Sequence, residues 1–349
     1  QKTREKIMKN KLLTLVLCLF SALAFADGDD YEINMNQSYK YSKKRSIDAN
    51  YDAGKDYTLK LEGKFSDYKI ANWNEDRISF HVEIIAKSNK ESNLDKILSS
   101  IDVILSDINK SKASKIVEAK TKIDNCKLNN ASISIDYYIM IPNDIDIIID
   151  NTYGDVDIQS AKDINIKLMY GDSDISSADN IDAEILYGDI TIGTVNYFDA
   201  DVKYSEIDCS MAKKVKAEVM YSDTYFKTVD EIRIDNIYGD LEIETLINRI
   251  ECSLKYSDIE IENVDKDFSD IIIDAMYSDV SISLTNEHCF SYDISTSYGN
   301  ISPKMLKDNA NKYIKEHPET SVIGNINDND KLHNIKIDAL YGDVEIDFE

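Results

Sequence analysis

Proline, glycine and tryptophan are scarce in this chain: three, 11 and one among 349 residues. So little Pro and Gly excludes collagen-like and low-complexity linker sequence. Positive charge is the second shortage, with 40 Lys+Arg against 65 Asp+Glu, a net charge of −25 and a pI near 4.5. No basic footprint is left to bind phosphates, which argues against nucleic acid and anionic membrane surfaces as partners. The four histidines, His81, His288, His317 and His333, are scattered, with no ligand spacing and no neighbouring nucleophile motif. The only arginines past Arg77 are Arg233 and Arg249. A convergent catalytic constellation is therefore not expected, and the chain reads as a non-enzyme. No apolar run reaches the roughly 20 residues that a membrane-spanning helix needs. Tyrosine, by contrast, is abundant at 22 residues, and its placement organises everything below.

The first 26 residues read as an export address. Lys9 and Lys11 form a basic segment after Met8, Leu12 to Phe20 an apolar one, and Ala24-Phe25-Ala26 a small-x-small cleavage site. Cys18 follows Leu17 deep in the apolar run, so it does not fit a lipidation site. Cleavage would leave 35 Lys+Arg against 64 Asp+Glu, a net charge of −29. Four cysteines remain, Cys126, Cys209, Cys252 and Cys289. In an oxidising compartment they permit two disulfides with three connectivities, or they serve as buried free thiols. Without a C-x-x-C pair they do not suggest zinc.

A tripeptide of Tyr, Gly or Ser, and an acidic residue recurs through the second half. Its tyrosines are Tyr153, Tyr170, Tyr187, Tyr204, Tyr221, Tyr238, Tyr256, Tyr277, Tyr298 and Tyr341. The steps between them are 17 five times, then 18, 21, 21 and 43. Between tripeptides the apolar residues alternate, as in Ile164, Ile166 and Leu168 or Val215, Ala217 and Val219. Period two and β-branched residues mean strands. Each unit is expected to hold one short and one longer strand separated by polar corners. A 17-residue unit traces roughly 56 Å when extended, enough for one narrow coil, and stacked coils sit ~4.8 Å apart on parallel ladders. The expected fold is an all-β parallel β-solenoid with coils of about 17–21 residues.

The tripeptide is expected to be the corner. Gly there permits positive φ or close backbone approach, and the acid accepts backbone N–H groups two residues on. In register, the tyrosines form an aromatic ladder. The acids, Asp155, Asp172, Asp189, Glu206, Asp223, Asp240, Asp258 and Asp279, form a charged ladder that calcium would relieve, since like charges ~5 Å apart repel by roughly 0.8 kcal/mol even in water. Only Asn300 breaks the run of acids. No other cofactor is indicated.

Three regions follow: 1–26 as upstream residues and signal, 27–132 as irregular coils, and 133–349 as the regular stack with an insertion at about 302–333. Phe65-Ser66-Asp67 reads as a degenerate eleventh corner. Leu94, Ile97, Leu98, Ile101, Ile104, Leu105 and Ile108 predict a helix over about 92–109, capped by Ser92 or Asn93 and packed on the coils. Residues 303 to about 316 predict a second helix ended by His317-Pro318. The step of 43 reads as two units with one tripeptide missing. How the open C-terminal end of the stack is covered is not legible, and such ends are where self-association would occur.

Ile133 to Pro142, a strand ending in Ile-Pro, is followed by a strand at Ile147 to Ile149 that runs into Tyr153-Gly154-Asp155-Val156-Asp157-Ile158. This order resembles the lead-in to the repeats of a bacterial family named putative adhesin, a β-strand-repeat domain of exported Bacteroidetes-type proteins. The resemblance covers 57–349. It implies a parallel β-solenoid at the cell surface or in the periplasm, and it carries over no catalytic residue. The expected role is presentation of an extended surface to a surface protein or glycan. The alternative is a carbohydrate-binding or polysaccharide-active β-helix protein.

Overall fold

The computed structural model describes residues 39–54, 56–111, 114–124, 131–327 and 333–348; the segment read as an export signal, Cys126 and residues 328–332 lie outside them. The chain divides into two compact units, one built from 1–45, 84–102 and 123–134, the other from 46–83, 103–122 and 135–349. Among the described residues the protein is all-β apart from two short helices, and its strands form one 23-stranded sheet.

The smaller unit contains helix α1, Glu91–Ser99, which buries Leu94, Ile97 and Leu98. It is half the expected length. Ser100 closes it by donating its N–H to the carbonyls of Lys96 and Ile97, and Ile101–Ser111 continues as a strand. Ile101, Val103 and Leu105 alternate as well as they fit a helical stripe, and the β-branched cluster settles for the strand. Neither Ser92 nor Asn93 caps α1; its N-cap is Lys90, without a side-chain bond.

The larger unit carries the repeats. Val156–Met169, Ser173–Leu186, Ile190–Lys203, Glu206–Met220, Asp223–Ile237 and Leu241–Lys255 are each a single strand of 14 or 15 residues. The expected short and long strands are thus continuous, interrupted only by the two or three residues of the tyrosine corner. Each pairs in parallel with the next at an offset of 17, so that Ile175 lies on Ile158 and under Ile192. Inward positions in the first of these strands are Val156, Ile158, Ala161, Ile164, Ile166 and Leu168, all buried. The two steps of three in that series mark bends, and the ladder skips Gln159 and Lys162 at those points. Fully burying such a side chain contributes about 1.5–3 kcal/mol, and small rungs sit against large ones, as Cys209 does against Phe226.

Longer repeats place their extra residues at one bend. The step of 18 is absorbed beyond Leu246, where the register shifts. The first step of 21 adds a loop whose Phe268 is buried against His288 and His333, with ring centroids 6.1 and 5.2 Å away. His288 accepts the Thr285 N–H at Nδ1 (2.9 Å) and donates from Nε2 to Val264 O at 3.1 Å. These histidines fill a corner.

The last coils are out of order. Asn334–Leu340 and Val344–Phe348 pair with Asp270–Met276 and Val280–Leu284 on one edge, and with Phe290–Ser297 and Ile301–Ser302 on the other. The final coil in sequence therefore lies between the two that precede it, and no unit is missing a tripeptide. The insertion is also corrected. Helix α2 spans only Lys304–Asp308, and Ala310–Glu316 with Glu319–Ile326 forms an antiparallel hairpin turning at His317-Pro318. Glu319–Ile326 pairs antiparallel with Phe290–Ser297, which covers the terminal coil and makes the sheet mixed rather than purely parallel. Lys312 and Lys315 on the outer strand place charge at this edge.

Candidate functional site

The tyrosine corners form the most regular feature of the surface. Each corner tyrosine has φ between 54° and 61°, and Phe65 matches them at 57°. Among the described residues no glycine has positive φ, so the left-handed backbone falls on the aromatic residue and not on its neighbour. For a bulky residue that conformation costs about 1–2 kcal/mol. The stack offsets it. Consecutive rings from Phe65 and Tyr153 up to Tyr277 lie 4.9–5.1 Å apart between centroids, within 13° of parallel. Aromatic pairs of this kind contribute about 0.5–1.5 kcal/mol each.

The column then runs from Tyr277 to Tyr341 (4.8 Å) and from Tyr341 to Tyr298 (4.6 Å), following the spatial order of the coils. His317 meets the Tyr298 ring edge-on at 6.1 Å, and the Tyr298 N–H donates to Pro318 O. The hairpin thus also closes the end of the aromatic column. Interior rungs have both faces covered by neighbours, yet stay 42–48% exposed from Tyr204 to Tyr277, so solvent meets their edges.

The residue after each tyrosine is small because coils touch there. A Cβ at Gly171 would lie 2.2 Å from Gly154 O, and one at Gly188 1.8 Å from Gly171 O. Of the two roles expected for glycine, close approach is the one used. In the serine corners the hydroxyls bond instead: Ser205 N–H donates to Ser222 Oγ at 3.0 Å, and Ser222 Oγ donates to Met220 O at 2.9 Å.

The acids bond to the neighbouring coil, not to a backbone group two residues on. Asp155 Oδ1 accepts the N–H of Asp172, Asp172 that of Asp189, and Asp189 that of Glu206, at 2.9–3.0 Å. The same bond joins Asp223 to Asp240, Asp240 to Asp258, Asp258 to Asp279 and Asp279 to Asp343, at 2.8–3.1 Å. Asp67 begins the series with the N–H of Asp155, which makes Phe65-Ser66-Asp67 a full corner. Asn300 is the last rung. No acidic rung follows it, and its Nδ2 instead donates down to Asp343 Oδ1 at 3.3 Å, as its N–H does at 2.7 Å.

These charge-assisted bonds explain how the aspartates of the column tolerate one another. The tolerance has limits: burial first, then the Asp223 and Asp258 charges, raise the Asp240 carboxyl above its usual range against the Asp258 N–H. Among the described residues no three His, Cys, Asp or Glu side chains converge as a metal site; the candidate calcium ligands stand in single file.

The other candidates disperse. Cys209 and Cys252 are buried free thiols on the inward face, with Cys209 pushed up to about 12 by burial; Cys289 is free and half-buried. His81 lies between Asp48 (2.7 Å) and Glu83 (3.1 Å), and those two hydrogen bonds raise its pKa. A shallow hollow of ≈ 420 Å³ opens beside Ile148, Tyr197 and Asp199. Sequence reading missed the column next to the tyrosines, where Met169, Leu186, Met220, Ile237, Met276 and Leu340 are partly exposed. Their recurrence one residue before six of the ten corner tyrosines was the available signal; Thr152, Lys203, Lys255 and Ser297 take the position at the other four.

No family model and no curated protein matches the chain. Solved structures do. The chain is similar to putative adhesins. One from Bacteroides fragilis is 16% identical, with 66% of this chain and 97% of that one covered and a TM-score of 0.38. Another, from Parabacteroides merdae, is 9% identical over 68% and 95% of the two chains, with a TM-score of 0.41. A putative cell adhesion protein from Clostridium sporogenes is 12% identical over 88% and 100%, with a TM-score of 0.23. No helix among the described residues is long and apolar enough to cross a membrane.

Proposed function

We propose that the larger unit is a β-solenoid and that the protein is an exported, non-catalytic adhesin that binds through an extended, repetitive surface. The observation that carries this reading is the column structure itself. Offsets of 17 bring equivalent outward positions into register on successive repeats, so that tyrosine edges run beside a column of apolar residues, interrupted by Lys203 and Lys255, on one side and carboxylates on the other. A partner that repeats along its own length gains from many weak, equivalent contacts, because each first contact raises the effective concentration for the next. The stacked rings argue against sugar binding on tyrosine faces, since interior faces are already covered.

The test is binding of the purified chain to intact bacterial and host cells and to a glycan array. Surface binding that falls when Tyr204, Tyr221 and Tyr238 are replaced together by Ser supports the reading, provided circular dichroism shows the fold retained. Polysaccharide turnover abolished by a single Asp substitution would overturn it in favour of an enzyme.

A further inference from the structure

We propose that the tyrosine column is a site of oxidative coupling, at which neighbouring phenols are joined as dityrosine and successive coils become covalently stapled. Ten phenols stand in one file with consecutive centroids 4.6–5.1 Å apart. Rings held in contact meet the main requirement of radical coupling, a second phenol within reach before the first radical is quenched. From Tyr204 to Tyr298 and at Tyr341 these side chains are 42–54% exposed, so a diffusible oxidant reaches their edges. The described thiols that would compete as reductants are mostly elsewhere: Cys209 and Cys252 are buried on the inward face. Met169 and Met276 beside the column are exposed and would be oxidised alongside it.

The chemistry balances with a peroxide as oxidant and a haem peroxidase as catalyst. Each of two tyrosines loses one electron and its phenolic proton. The two radicals form one bond between ring carbons ortho to oxygen. The ortho hydrogens then move to oxygen and restore both phenols. Two electrons and two protons leave the pair and reduce one hydrogen peroxide to two waters. Bond formation needs two ring edges to turn toward each other, and the solvent-facing half of each side chain is where that turn has room. The inference rests on ring geometry alone and is independent of what the surface binds.

Full-length chain at low concentration is treated with haem peroxidase and hydrogen peroxide, then read by dityrosine fluorescence and by mass spectrometry of linked peptides. Coupling is expected within the monomer, each bond costing two hydrogens, between neighbours such as Tyr170–Tyr187 and Tyr204–Tyr221. Links Tyr277–Tyr341 and Tyr298–Tyr341 are expected in place of Tyr277–Tyr298. Replacing Tyr170, Tyr204, Tyr238, Tyr277 and Tyr298 by Phe keeps a stacked ring at every rung but separates the phenols, and is expected to cut intramolecular yield about tenfold. Phe65 already serves as such a rung. Coupling only between chains, coupling centred on the exposed tyrosines outside the column, Tyr138, Tyr197 and Tyr313, or an undiminished yield in the Phe variant would overturn the proposal.

Discussion

From Val156 to Lys255 each coil lies on the coil before it, whereas from Asp270 to Phe348 the last coil lies beneath the one that precedes it in sequence. Both regions use the same corner, with left-handed tyrosine, stacked ring and an acid bonded to the next N–H. The local chemistry of a rung is therefore blind to the order in which the chain supplies it. The regular region is held by neighbours in sequence. In the C-terminal region a coil that arrives last completes a gap, so coils made earlier depend on residues made later.

The most disruptive way to break this comparison is to truncate after Asn327. Removing the intercalated coil takes away the buried Ile335, Ile337, Val344 and Ile346, on the order of 6–12 kcal/mol of burial. Hydrogen exchange in 290–302 is expected to rise to the rate of unstructured chain while 156–237 keeps its protection. Unchanged protection at 290–302 would mean that the coils stack in sequence order.

Next in size is Phe226→Ala in the regular region, at about 3–5 kcal/mol in chemical denaturation, because Phe226 is fully buried between the Cys209 and Ile243 rungs. Protection should then fall in neighbouring coils on both sides. A loss confined to 223–237 would show that rungs fold independently.

Tyr221→Ala removes two ring contacts and is expected to cost about 1–3 kcal/mol, while Tyr221→Phe changes stability little. The same pair of variants at Tyr341 tests whether an intercalated rung is worth more than a sequential one.

The smallest effects concern charge. Asp240→Ala deletes an acceptor for the Asp258 N–H and is expected to cost about 1 kcal/mol. Asp240→Asn keeps an acceptor and removes the charge, and so raises the melting midpoint at neutral pH. The sign follows from the raised carboxyl pKa: the folded state holds the proton more tightly than the unfolded one. The stability it adds is complete below the ordinary carboxylate value and lost as pH rises through the raised value. Melting curves across that window should be flatter for Asp240→Asn than for the parent chain.

Much of this was legible beforehand. The period of the tripeptide located the corners, and alternation located the inward faces, because a parallel ladder repeats its side-chain pattern at the coil length. Phe65-Ser66-Asp67 is recognisable as a corner from the aromatic-Ser-Asp-x-x-Ile order of Phe65 to Ile70. Other features were illegible for physical reasons. Ile101 to Ile108 fits both a helical stripe and a strand, and tertiary context decides between them. The acid's partner could not be found by looking two residues ahead, since it lies a whole coil away, usually 17 residues on. On general grounds glycine takes either positive φ or a close backbone approach; the column of stacked rings puts the positive φ on tyrosine and leaves glycine the close approach.

The sequence by itself determined the repeating unit, its inward and outward faces, and the chemical identity of each column. Those are properties of one coil and of the offset between equivalent residues. The tertiary structure alone decided which coil occupies which slot and how the end of the stack is closed. Coils that share one inward pattern and one corner do not announce their neighbours in sequence, and the paths of the connecting segments carry each to its slot. The step of 43 from Tyr298 to Tyr341 reads in sequence as two units with one tripeptide missing, and it is the detour that carries the last coil back into the gap.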